Sequence, residues 1–129
     1  MVKNKTLVLT IPHYKILYTV NYLNEKHYYP LSKGVWKILK GDIDEETMPF
    51  IGCESFGTIT SYSSKKISRL IMMLYRYHYL SKKYDEKTNE LYLEISPLGV
   101  SYLGKYLAKH KNSFKKKEKT IEHTIIQID

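Results

Sequence analysis

Apolar residues recur along this chain at two spacings, and the switch between them marks out its elements. Ile16, Leu17, Val20 and Leu23 line one helical face, which predicts a first helix over about His13 to Glu25, with Pro12 suited to its first turn. Tyr28-Tyr29-Pro30 breaks that pattern. A second helix follows over about Leu31 to Lys40, burying Leu31, Val35, Ile38 and Leu39, and Gly41 ends it. Trp36 falls off that stripe and is expected at the edge of the core or against a partner. Asp42 to Tyr62 has no clean period and holds Pro49, Gly52 and Gly57. It is expected to be a long connection, functional or mobile, with a short strand at Gly57-Thr58-Ile59-Thr60.

Helical spacing returns in Ile67, Leu70, Ile71 and Leu74, with Ser61 and Ser63 both suited to cap the helix start. Two short segments then flank a turn signal: Tyr79 to Tyr84, the run Asp85-Glu86-Lys87-Thr88-Asn89-Glu90, and Leu91 to Ser96. Pro97 opens a fourth helix to about Lys109, expected to bury Val100, Leu103, Tyr106 and Leu107. Lys109 to Lys119 is a charge run, and Thr120 to Asp129 is a late strand or a frayed end. Helices followed by helix, hairpin and helix predict an α+β winged helix-turn-helix, mainly helical, with a wing sheet of two to three strands. Its expected divisions are an N-terminal extension over 1–9, the domain over 10–109 and a basic C-terminal tail over 110–129.

Composition adds a partner. The net charge is +8, but residues 1–62 carry seven lysines against six acids, whereas 63–129 carry twelve lysines and both arginines against seven acids. A basic excess confined to one half favours a polyanion. The chain is rich in Lys, Ile, Tyr and Asn, a bias that A/T-rich codons would also give, yet that bias does not explain the asymmetry. The single cysteine, Cys53, excludes an internal disulfide and a thiolate-rich zinc cluster, and it is expected in the core. No apolar run of about 18 residues occurs, and the start lacks the long apolar core of a signal peptide, so a cytoplasmic, nucleoid-associated protein with no membrane partner is expected.

The basic excess concentrates on the third helix. At about 100° per residue, Lys65, Arg69 and Arg76 fall within roughly 40° of one another, opposite the apolar stripe. Ser63, Ser64, Lys65 and Lys66 at the helix start suit a phosphate, through backbone N–H groups, hydroxyls and charge. Ser63 alone could equally serve as a simple cap. Arg69 and Arg76 bring the planar fork that fits phosphate or guanine. Met72 and Met73 flank them and suit a sugar, a thymine methyl or a protein surface. Lys82, Lys83 and Lys87 on the wing are expected to reach an adjacent backbone, but Glu86, Glu90 and Glu94 offset them, so Lys82 and Lys83 are expected to matter and the tip to matter little. The thirteen tyrosines are mostly assigned to the core, with Tyr28, Tyr29, Tyr75 and Tyr77 left as stacking candidates. Asp42, Asp44, Glu45 and Glu46 lack the pattern of a calcium loop, and the five histidines are scattered. No catalytic constellation, metal site or cofactor is expected.

An ordered set of short motifs resembles a known family. Ile38-Leu39-Lys40-Gly41 closes the second helix, Ser55-Phe56-Gly57-Thr58-Ile59 sits in the connection, and Tyr79-Leu80 ends the third helix. This order resembles the RQC domain, the winged helix that follows the motor of RecQ-type DNA helicases, over about residues 10–105. Lys40 stands where the family usually has Arg, Phe56-Gly57 where Tyr-Gly is common, and His78-Tyr79-Leu80 where Gly-Tyr-Leu is usual. The resemblance implies binding of duplex or branched DNA, as part of or partner to such a helicase. In some members an aromatic wing tip wedges open the terminal base pair, whereas the tip here is acidic, with Tyr84 the nearest aromatic. The chain has no G-x-x-x-x-G-K-[ST] loop and no cysteine-rich zinc module, so a helicase motor would have to be supplied elsewhere.

Two other readings fit a winged helix. One is a dimeric transcriptional regulator, using the first helix with Trp36, or Ile125, Ile126 and Ile128, as its interface. The other is a protein-binding module with helix three packed on a partner. A monomer that binds DNA is the favoured expectation.

Overall fold

The computed structural model describes residues 7–110. It contains α1 (Ile11–Glu25), α2 (Ser32–Lys40), a 3-10 turn at Met48–Phe50, α3 (Ser64–Arg76), β1 (Leu80–Asp85), β2 (Glu90–Ile95) and α4 (Pro97–Lys109). This is an α+β arrangement of four helices and one antiparallel hairpin among the described residues, compatible with a winged helix. The lysine run from Lys111 to Lys119, the expected strand over Thr120 to Asp129, and residues 1–6 of the N-terminal extension lie outside the described residues.

The central helix is α1, which contacts α2, α3, α4 and β2. Ile16, Leu17 and Val20 meet Val35 and Leu39 of α2, Ile67, Ile71 and Leu74 of α3, and Leu80, Leu93 and Leu103 in one core. Trp36 packs half-buried at its margin. Leu23, Ile38 and Phe50 form a second cluster under the connection, and Cys53 is buried. At the start of α1, Thr10 N–H donates to Nδ1 of the buried His13 at 2.9 Å. That nitrogen must therefore be unprotonated, and burial lowers the imidazole pKa in the same direction.

Two expected core positions face water instead. Leu31 is 40% exposed because it is the residue before α2, outside the first turn. Val100 is 49% exposed because Gly99 takes the buried face of α4. A Cβ on Gly99 would lie 2.2 Å from the carbonyl oxygen of Tyr79, so the helix approaches the strand entry through its bare Cα. That face continues to Leu103 and Tyr106, about 100° from Val100 on average.

The connection from Asp42 to Tyr62 contains no strand; the one expected at 57–60 does not form. Its backbone closes onto the end of α2: Gly57 N–H donates to Ile38 O at 2.8 Å and Ile59 N–H to Leu39 O at 2.9 Å. Gly41 and Gly57 both have positive φ, and a Cβ on Gly41 would meet the Cα of Gly57 at 3.2 Å. The two glycines quoted for the family resemblance thus stand back to back.

The hairpin pairs Leu80 with Ile95, Lys82 with Leu93 and Tyr84 with Leu91. Among the described residues its sheet has two strands. Where a third would add, Pro30 O accepts from Leu93 N–H at 2.7 Å, and Asn24 Oδ1 accepts from Ile95 N–H at 2.8 Å. Asn24 Nδ2 also donates to Tyr28 O and Leu93 O, so one side chain fastens β2 to the end of α1. His78, between α3 and β1, has φ of +70°. This is the position where the resembling family has glycine.

Candidate nucleic-acid interface

Ser63 caps α3, its hydroxyl accepting from Lys66 N–H at 3.1 Å. The cap engages that one donor. Ser64 and Lys65, in the first two helical positions, have no intrahelical acceptor for their N–H groups, which point off the helix start. From there Lys65, Arg69 and Arg76 run along the exposed side of α3, with Lys66 a quarter-turn away. Met72 lies within the same arc and is 42% exposed, whereas Met73 is half-buried.

Each of these cations is exposed, and among the described residues none has a carboxylate within ion-pair distance. Both ion pairs found belong to Lys37, which reaches Asp44 and Glu46 from α2. Lys37 and the Thr47 amide hold the Asp44 carboxyl down at about 2, so it stays ionised and paired at neutral pH. Glu54 is engaged by the hydroxyl of Tyr18 at 3.0 Å.

The structure separates two residues both expected to reach an adjacent backbone. Lys82 and Lys83 are neighbours in a strand, so their side chains leave opposite faces. Lys82 shares its face with Leu80 and lies over the ring of Tyr75 on α3, 4.6 Å from its centroid. Lys83 lies over Tyr29 on the other side, also at 4.6 Å. Only Lys82 extends the α3 ridge; between them Tyr75, Arg76, Lys82 and Leu91 line a shallow groove of about 490 Å³.

Sequence reasoning missed several supporting residues. Tyr62 carries the Lys66 ammonium over its ring at 4.2 Å, and Lys40 Nζ donates to Tyr62 O at 2.6 Å. Lys40 therefore ties the end of α2 to the entry of α3, a backbone-fixing role rather than a surface charge. Tyr62 precedes the cap of α3, so helical spacing did not signal the first contact. The Tyr75–Lys82 pair carries no local signal. Of the stacking candidates, Tyr75 is exposed, while Tyr28, Tyr29 and Tyr77 are half-buried.

Among the described residues no group of three or more His, Cys, Asp or Glu could hold a metal ion, and no helix is long and apolar enough to cross a membrane. Burial pushes the Cys53 thiol up, so it stays protonated. Compared with known proteins, the chain matches no family model and no curated sequence.

Proposed function

We propose that the chain is a DNA-binding winged-helix module of the RQC type, holding duplex or branched DNA by its backbone, as part of or partner to a RecQ-type helicase. The observation that carries this reading is the ridge of Lys65, Arg69 and Arg76, exposed and without carboxylate partners among the described residues. The cations of such a ridge displace counterions condensed on the DNA phosphates, which makes binding tight at low salt and indifferent to base sequence. Lys82 lengthens the ridge, and the N–H groups of Ser64 and Lys65 offer a phosphate site at its head. The likeness to the RQC domain gains physical sense from Gly41, Gly57 and His78, whose positive φ falls on motif positions.

The test is the double substitution Arg69→Ala with Arg76→Ala, measured by duplex binding across a salt series. Losing two phosphate contacts flattens the slope of log K against log salt by roughly 2. An unchanged slope would remove α3 from the contact and sink the reading.

A further inference from the structure

On the side of the hairpin away from α3, a cleft of about 780 Å³ opens between β2 and the segment after α1. Its floor is tyrosine: Tyr28 and Tyr29 on one wall, Tyr92 on the other. Its rim is acidic, with Glu46, Asp85, Glu86 and Glu90 against Lys83 and Lys87, in a chain whose net charge is +8. Two of those carboxylates are fixed in place. Tyr28 donates its hydroxyl to Glu46 Oε2 at 2.6 Å, though Glu46 already pairs with Lys37 at 3.6 Å, and Tyr92 donates to Glu90 Oε1 at 3.0 Å, with no cation in ion-pair range of Glu90 among the described residues. Aromatic faces backed by oriented carboxylates form a receptor for an ammonium or guanidinium group. The cleft already holds such a group, because the Lys83 ammonium lies over Tyr29.

The neighbouring backbone argues for a peptide over a small amine. Leu93 N–H and Ile95 N–H leave β2 on the side away from β1, toward Pro30 and Asn24. By strand alternation Leu91 N–H and C=O leave on that side too, and they have no partner among the described residues. Leu91 sits between Glu90 and Tyr92, both part of the cleft. An extended backbone can pair there while its side chain enters the cleft. DNA is disfavoured at the same place by the four carboxylates.

We propose that this cleft docks an extended segment of a partner protein whose lysine or arginine side chain takes the place of the Lys83 ammonium over Tyr29, with Glu90 as its carboxylate partner. Docking here is independent of nucleic-acid binding on α3, since it uses the other face of the hairpin and is assayed without DNA.

The probe is a capped pentapeptide alternating arginine and threonine, titrated into the full chain and followed by amide shifts in NMR. Binding with Kd on the order of 1 mM or tighter is expected, with shifts at Tyr29, Leu91 and Tyr92 and none from the same peptide carrying glutamate. Tyr29→Leu weakens binding about tenfold while Tyr29→Phe, which keeps the ring, leaves it unchanged. Glu90, which is exposed, gives a second variant that leaves the core untouched; Glu90→Gln also weakens it. Absence of shifts, shifts centred on α3, or indifference to both Tyr29→Leu and Glu90→Gln would overturn the assignment. So would cleft shifts produced by a duplex oligonucleotide, or by raising the concentration of the chain alone, which would give the cleft to nucleic acid or to a second copy.

Discussion

Lysines are plentiful on both α3 and the hairpin tip, yet the two regions present opposite electrostatic characters. Along α3 the cations stand on one arc of a helix whose opposite arc is core, and no acid shares that arc. At the tip, Asp85, Glu86 and Glu90 alternate with Lys83 and Lys87 around a tyrosine floor. A helix of 3.6 residues per turn gathers charges spaced at i, i+4 and i+11 onto one ridge. A strand of period two divides adjacent charges between faces. Secondary structure, more than the number of lysines, decides which surface attracts a polyanion.

The sharpest way to break that contrast is to loosen the hairpin while leaving α3 alone. Asn24→Ala removes the acceptor of Ile95 N–H and the donor to Leu93 O and Tyr28 O. A part-buried N–H without an acceptor costs about 1–3 kcal/mol. We expect about 2 kcal/mol of stability to be lost in a urea melt, with Asn24→Asp, which keeps the acceptor, losing less. The salt slope of DNA binding should fall by no more than the share of Lys82. A collapse of the slope with the protein still folded would mean that the hairpin, and not α3, is the principal contact.

The neighbouring pair Lys82 and Lys83 sharpens the contrast within a single strand. Lys82→Ala should lower the salt slope by about 1, as for one phosphate contact, while Lys83→Ala should leave it within error. Equal effects would show that DNA wraps both faces of the hairpin.

Much of this was legible in the chain. Four helices, the hairpin and its turn follow from periodicity, and the α3 ridge follows from helical geometry once Ile67, Ile71 and Leu74 define the core side. The division of Lys82 from Lys83 was legible too, since alternation dictates it. Other features were not. Leu31 and Val100 are apolar residues whose exposure is settled by where α2 begins and by the close approach at Gly99. The connection after α2 satisfies its backbone on the end of that helix, a tertiary choice that mimics strand composition at 57–60. The rings of Tyr75 and Tyr29 meet their lysines only because α3 and the segment after α1 flank the hairpin on either side.

The two regions join at His78, and the smallest expected effect tests that joint. With φ of +70°, His78 sits where an L side chain costs roughly 1–2 kcal/mol and glycine costs little. Its carbonyl accepts the Ser96 hydroxyl at 2.6 Å, a bond that any residue would keep. His78→Gly removes the steric penalty but lets the unfolded chain gain entropy, so the net gain is about 1 kcal/mol at most. The melting midpoint should rise, and the salt slope should not move, because the phosphate contacts belong to the neighbouring Arg76 and Lys82, although His78 lines the same groove. Destabilisation would mean that the imidazole makes a contact worth more than the strain. A changed slope would mean that the turn sets how Lys82 is presented beside Arg76, and that the α3 ridge and the hairpin act on DNA as one surface rather than two.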